Sequence, residues 1–158
     1  MIQLLDRGGF TATYKYAVLV ALLDLCMELT GATGVPPDMI TTRQLAEKVI
    51  ELYWPHCAPY PHGAGARVLR QNTGKPDTQA EIIRHILQFR ADAEKNPAAS
   101  MSLARARAGA SPHAYQKLVD TIEWKLVEMP LWRLQRVGRE EDRFLYDHGF
   151  SSETSRKQ

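Results

Sequence analysis

Arg67, Arg70, Gln71, Asn72, Thr73 and Lys75 fall within nine consecutive positions. Each residue type has a use at a nucleic acid. A guanidinium offers a fork of donors to a phosphate or a guanine edge, Asn and Gln pair with adenine, and Thr and Lys take phosphate oxygens. Residues 67–75 hold three basic side chains and no acidic one. They precede a predicted helix whose N-terminus would favour an anion. The pattern predicts nucleic-acid contact, set against an ordinary polar loop. A second cluster is Arg133, Arg136, Arg139 and Arg143, on and around a predicted hairpin. A helix followed by a basic hairpin can act as a reading helix and a wing on the phosphate backbone. Glu140, Glu141 and Asp142 put three negative charges in the same turn, so a solvated hairpin is the alternative.

Other chemistry finds less footing. His56, Cys57 and His62 lie close in sequence, but zinc needs about four ligands, commonly in pairs such as C-x2-C, and no such pair is present. His85 has Glu81 four positions earlier, which reads as surface pairing or core-edge packing. Gly74-Lys75 resembles the end of a phosphate-binding loop, yet Leu69 and Pro76 stand where Gly and Ser or Thr are required. Gly63-Ala64-Gly65 is too short for a dinucleotide fingerprint. No nucleophile elbow or acid–base motif is present.

The elements that must position these residues are mostly helical. Thr11 or Thr13 caps a long run, Tyr14 to Leu29, that Gly31 closes. Its middle, Ala17 to Leu23, is apolar all round, which predicts a helix buried on most sides at the centre of the core. Thr41 and Gln44 fit a capping box opening a second helix with Leu45, Val49, Leu52 and Tyr53 on one face, stopped by Pro55. Pro55 to Ala66, with three Pro and two Gly, reads as a loop. Thr78 and Glu81 form a second capping-box candidate before Ile82, Ile83, Ile86, Leu87 and Phe89. Ala98 to Gly109 reads as a short helix or ordered linker. Ser111-Pro112 is an N-cap pair for a fourth main helix that Pro130 stops.

After Pro130 the period changes to alternation. Trp132 and Leu134 start a hairpin, Gly138 to Asp142 turn it, and Arg143 to Tyr146 return. Trp54 and Trp124 read as core; Trp132 could face either way. Cys26, in an apolar helix, reads as buried, and Cys57 as a loop residue; a disulfide has no support in their spacing. The fold class expected is mainly α (α+β): four main helices with a C-terminal β-hairpin, resembling a winged helix. Residues 1–150 form one domain, and 151–158 a polar tail.

The chain has 158 residues, 44% hydrophobic and 24% charged, enough apolar material for one core and too much for wholesale disorder. With 20 basic and 18 acidic residues the net charge is +2, too small to announce a nucleic-acid binder by itself. Asp24 interrupts the longest apolar stretch, so no membrane span is expected. No secretory signal is recognisable, and the cytoplasm is the expected compartment.

Three runs carry a resemblance: Thr13-Tyr-Lys-Tyr-Ala-Val-Leu-Val-Ala-Leu-Leu-Asp-Leu25, Val68-Leu-Arg-Gln-Asn-Thr-Gly74, and Val127-Glu-Met-Pro-Leu-Trp-Arg-Leu-Gln-Arg-Val137. The chain up to about Tyr146 resembles the N-terminal region of bacterial HNH-type endonuclease proteins. In these a mostly helical region precedes a C-terminal nuclease domain. An HNH site needs a general-base His, a metal-binding His or Asp and an orienting Asn. None of His56, His62, His85, His113 and His148 is grouped with Asn in that way.

The resemblance therefore implies a non-catalytic portion or a truncated member, with no catalytic residue or metal ligand in this chain. A divalent metal would belong to an HNH domain outside it. The expected function is a DNA-binding, target-positioning module, with DNA as the partner. The alternatives are a protein-interaction or dimerisation module, which near-neutral charge favours, and a stand-alone regulator of winged-helix type. An intrinsic enzyme ranks last.

Overall fold

The computed structural model describes residues 13–31, 34–71, 78–93, 102–129, 131, 134, 136–137, 140–141 and 146–147, with the backbone alone for Arg136, Val137, Glu140 and Glu141. Helix α1 spans Tyr14–Thr30. Its sequence predicts burial on most sides, and the structure corrects this. Val18, Leu19, Ala21 and Leu25 are buried, but Tyr16, Val20, Leu23 and Met27 are 38%, 43%, 46% and 68% exposed. Spacings of four, three and four put these exposed residues on one stripe. The reason is position: α1 is an outer helix whose principal neighbour is α2. Thr13 does not cap its own helix. Its hydroxyl instead meets the Tyr53 hydroxyl at 2.9 Å. Gly31, at φ +55° and ψ −156°, takes a positive-φ conformation open to glycine, and the helix ends there.

Helix α2, Thr42–Tyr53, holds the centre and packs on both α1 and the long helix α5. Its predicted capping box is present: Thr41 Oγ1 accepts the Gln44 N–H at 3.1 Å, and Gln44 Oε1 accepts the Thr41 N–H at 2.8 Å. Lys48 ties α2 to α1 by reaching Glu28 at 2.7 Å, and it also meets Glu51 at 2.8 Å. Arg43 reaches Asp120 at 2.8 Å, and the Thr42 hydroxyl donates to Glu123 at 2.5 Å, joining α2 to α5.

Helix α3 spans Glu81–Ala93, starting later than the Thr78–Glu81 box predicts. A distant residue replaces that cap: the Tyr14 hydroxyl accepts the Ile82 N–H at 3.0 Å. The short helix α4, Leu103–Gly109, is capped by Ser102. Helix α5, Pro112–Glu128, has the predicted Ser111 cap with Pro112 in its first turn. The core joins Val18, Val49, Ile50, Ile82, Ile83, Ile86, Val119, Ile122 and Leu126, each 2% exposed or less. Trp54, Phe89 and Tyr115 add a chain of edge-on rings with centroids 6.2 and 5.7 Å apart. Trp124, expected in the core, is 37% exposed. The apolar stripe of α5 runs through Tyr115, Leu118, Val119, Ile122 and Leu126, and Trp124 falls off it.

Two small antiparallel sheets complete the described fold, which is mainly α with β-hairpins. The first lies where the sequence reads as a loop. Pro55–Cys57 is a 3-10 turn, and β1, Tyr60–His62, pairs with β2, Gly65–Arg67. His62 pairs with Gly65, so Gly63 and Ala64 make the turn. Gly63 has φ +60°, at the position where a type II′ hairpin turn demands glycine.

The second hairpin is β3, Arg136–Val137, with β4, Glu140–Glu141. A C-terminal hairpin is thus present, in a different register from the predicted one. Glu140 and Glu141 are in a strand, not the turn, because Val137 already pairs with Glu140 across two intervening positions, the spacing of a tight hairpin. Leu134, expected in a strand, is helical, as is Leu131, and both are buried on the single face that i, i+3 spacing creates. Tyr146 lies outside any strand, and its hydroxyl donates to the Leu131 carbonyl at 2.5 Å. Among the described residues, no helix is long and apolar enough to cross a membrane.

Candidate nucleic-acid interface

The first hairpin is exposed at every residue of both strands. Among the described residues, none of the six joins the buried core or packs against it. Strand geometry sorts its side chains: Tyr60 and His62 share a face, and Arg67, paired with Tyr60, shares it too. The Tyr60 and His62 rings meet edge-on, centroids 6.2 Å apart and planes at 74°. Gly65, opposite His62, contributes no side chain, and a Cβ built there meets nothing within 4 Å. The face is therefore two rings, one guanidinium and open space over Gly65.

Beyond β2 the chain carries exposed Arg70 and half-buried Gln71. One side chain anchors this stretch. Gln79 donates from Nε2 to the Leu69 carbonyl at 3.0 Å, and its Oε1 accepts the Gln71 N–H, also at 3.0 Å. The Gln71 side chain is turned inward, its Oε1 buried without a hydrogen-bond partner among the described residues, so it is not placed as an outward base reader. Burial raises the Tyr53 pKa, and the hydrogen bond with Thr13 opposes that rise.

Of the sequence-predicted site residues, Arg67 and Arg70 are thus placed together on exposed chain, and Gln71 is turned inward. Asn72, Thr73 and Lys75 lie outside the described residues, as do Arg133, Arg139 and Arg143. Arg136 lies on β3, where the register sets Glu141 opposite it.

Sequence reasoning missed Tyr60 and His62. The available signal was a Gly-X turn, Gly63-Ala64, flanked by an aromatic residue of high strand preference. Electrostatics favours the same surface. Residues 52–76 contain no Asp or Glu, although acidic residues occur throughout the helices.

The rival concavity is a cleft of about 410 Å³ between α1, α2, α4 and α5. Most of its charges are engaged, Lys48 with Glu28 and Glu51 and Arg107 stacked 4.2 Å above the Tyr115 ring centroid, while Glu47 also lines it. Cys26 and Cys57 are free thiols, half-buried and fully buried respectively, which reverses their expected settings. Burial pushes the Cys57 thiol pKa up to about 12, against the lowering influence of Arg90. That thiol stays protonated and unreactive. Among the described residues, no three His, Cys, Asp or Glu side chains come together as metal ligands would.

Comparison with known protein families, with curated proteins and with solved structures finds no match.

Proposed function

We propose that this chain is a DNA-binding, target-positioning module of the kind found beside HNH nuclease domains. One observation carries the reading: an exposed hairpin bearing Arg67, continued by Arg70, within a stretch of 25 residues free of acidic side chains. Basic side chains on an exposed projection can hold phosphate oxygens. The contact contributes affinity and orientation and leaves chemistry to another domain.

The test is duplex binding by the full chain at several salt concentrations. Binding weakens as salt rises, with a slope of about −0.9 per phosphate neutralised. Arg67→Ala, Arg70→Ala and Lys75→Ala together weaken it and flatten that slope, while the circular dichroism spectrum is unchanged. Absence of binding by the wild-type chain at low salt overturns the reading.

A second reading, self-association, rests on the exposed α1 stripe of Tyr16, Val20, Leu23 and Met27. Their four-three-four spacing is that of a helix–helix seam. It predicts a molar mass that rises with concentration and falls to the monomer value in Leu23→Glu; a mass constant at 17.9 kDa removes it.

A further inference from the structure

We infer that the face of the first hairpin takes an unpaired DNA base, stacked beside Tyr60 and His62 with its phosphate on Arg67. The inference rests on the DNA-binding reading and narrows its substrate from duplex to bases out of the helical stack.

The argument begins with what the hairpin lacks. All six strand residues are exposed, so neither face helps to bury the core. A two-stranded hairpin with no buried face is marginal by itself. Phosphate contact alone requires only basic side chains, which any loop can carry. This hairpin instead presents two aromatic rings on the same face as its arginine. Aromatic rings beside cations are the composition of single-strand binding surfaces, because every base has a face to stack and every nucleotide has a phosphate.

Space is also available. Gly65 pairs with His62, and the position its Cβ would occupy is open. That open space lies beside the imidazole on the ring-bearing face. Because Tyr60 and His62 meet edge-on, their planes differ by 74° and they do not cover each other. A planar base can lie on a ring face while Arg67, one strand away from Tyr60, reaches its phosphate. Duplex DNA offers no base face to this surface, since its bases are stacked on one another.

The decisive measurement compares the full chain on a labelled 20-nucleotide thymidine strand and on a duplex of equal length. The single strand binds more tightly. Tyr60→Ala weakens it by about tenfold, the effect of one lost base–ring stack, and leaves duplex affinity unchanged. Tyr60→Phe retains the wild-type preference. Gly65→Val fills that space without changing charge and lowers single-strand affinity in the same direction. Its backbone is outside the left-handed region, so the variant folds. Arg67→Ala weakens both probes.

Equal binding of both probes, with Tyr60→Ala and Gly65→Val silent, overturns this inference and leaves the DNA-binding reading standing. Absence of binding to either probe overturns both.

Discussion

Arg90 is a cation almost wholly removed from water, 3% exposed, with its guanidinium 4.8 Å from the Trp54 ring centroid. A desolvated cation over an indole is worth about 2 kcal/mol, and the arginine stem adds packing. Arg90→Ala is expected to lower unfolding free energy by roughly 2–3 kcal/mol in urea titrations. Cys57 lies beside this pair and makes a separate prediction. A thiol raised to about 12 reacts with a disulfide reagent at pH 8 only after unfolding, whereas half-buried Cys26 reacts in the native protein. Mass spectrometry of the labelled chain distinguishes the two sites.

His85 sets a pH response. Burial and then the Arg84 guanidinium lower its pKa from the ordinary 6.5. The folded protein therefore binds this proton less readily than the unfolded chain does. Stability is unaffected above the unfolded value and falls as pH drops through 6.5 toward the folded value. The urea midpoint is expected to fall between pH 7.5 and 5.5, and His85→Gln reduces that fall.

At the scale of elements, sequence patterns were legible wherever a structure is fixed by neighbours along the chain. The Thr41–Gln44 box and the Ser111-Pro112 start are local, and both are found where the residues predict them. The start of α3 was illegible because its cap is the Tyr14 hydroxyl, 68 positions away. Tyr14→Phe removes that acceptor and strands the Ile82 N–H; it is expected to cost about 1–2 kcal/mol by chemical denaturation. The first hairpin escaped notice because alternation in a sequence reports burial on one face, and this hairpin buries neither. Its strands are also only three residues long and include Pro61.

Across the whole molecule, composition and helical periodicity identify a mainly α domain with one core, but not which helix occupies its middle. α1 has the more apolar sequence, yet α2 is central. An all-round apolar helix does not reveal which side its neighbours cover, whereas the strong one-sided pattern of α2 matches contact with two partners. Substitutions measure the difference. At concentrations where the chain is monomeric, Val20→Gln or Leu23→Gln is expected to change stability by less than ~0.5 kcal/mol, as at ordinary surface positions. Ile122→Ala, in the fully buried interior, costs about 3 kcal/mol. Of the candidate site, the arginines were visible in sequence as charge; their aromatic neighbours were not, since only strand pairing brings Tyr60 beside Arg67.

Gln79 has a wider consequence. Its amide joins Leu69 and Gln71 to the residue before Ala80. The two bonds grip the chain on both sides of Arg70, at Leu69 and Gln71. Loss of that one amide therefore releases the backbone on both sides of the arginine at once.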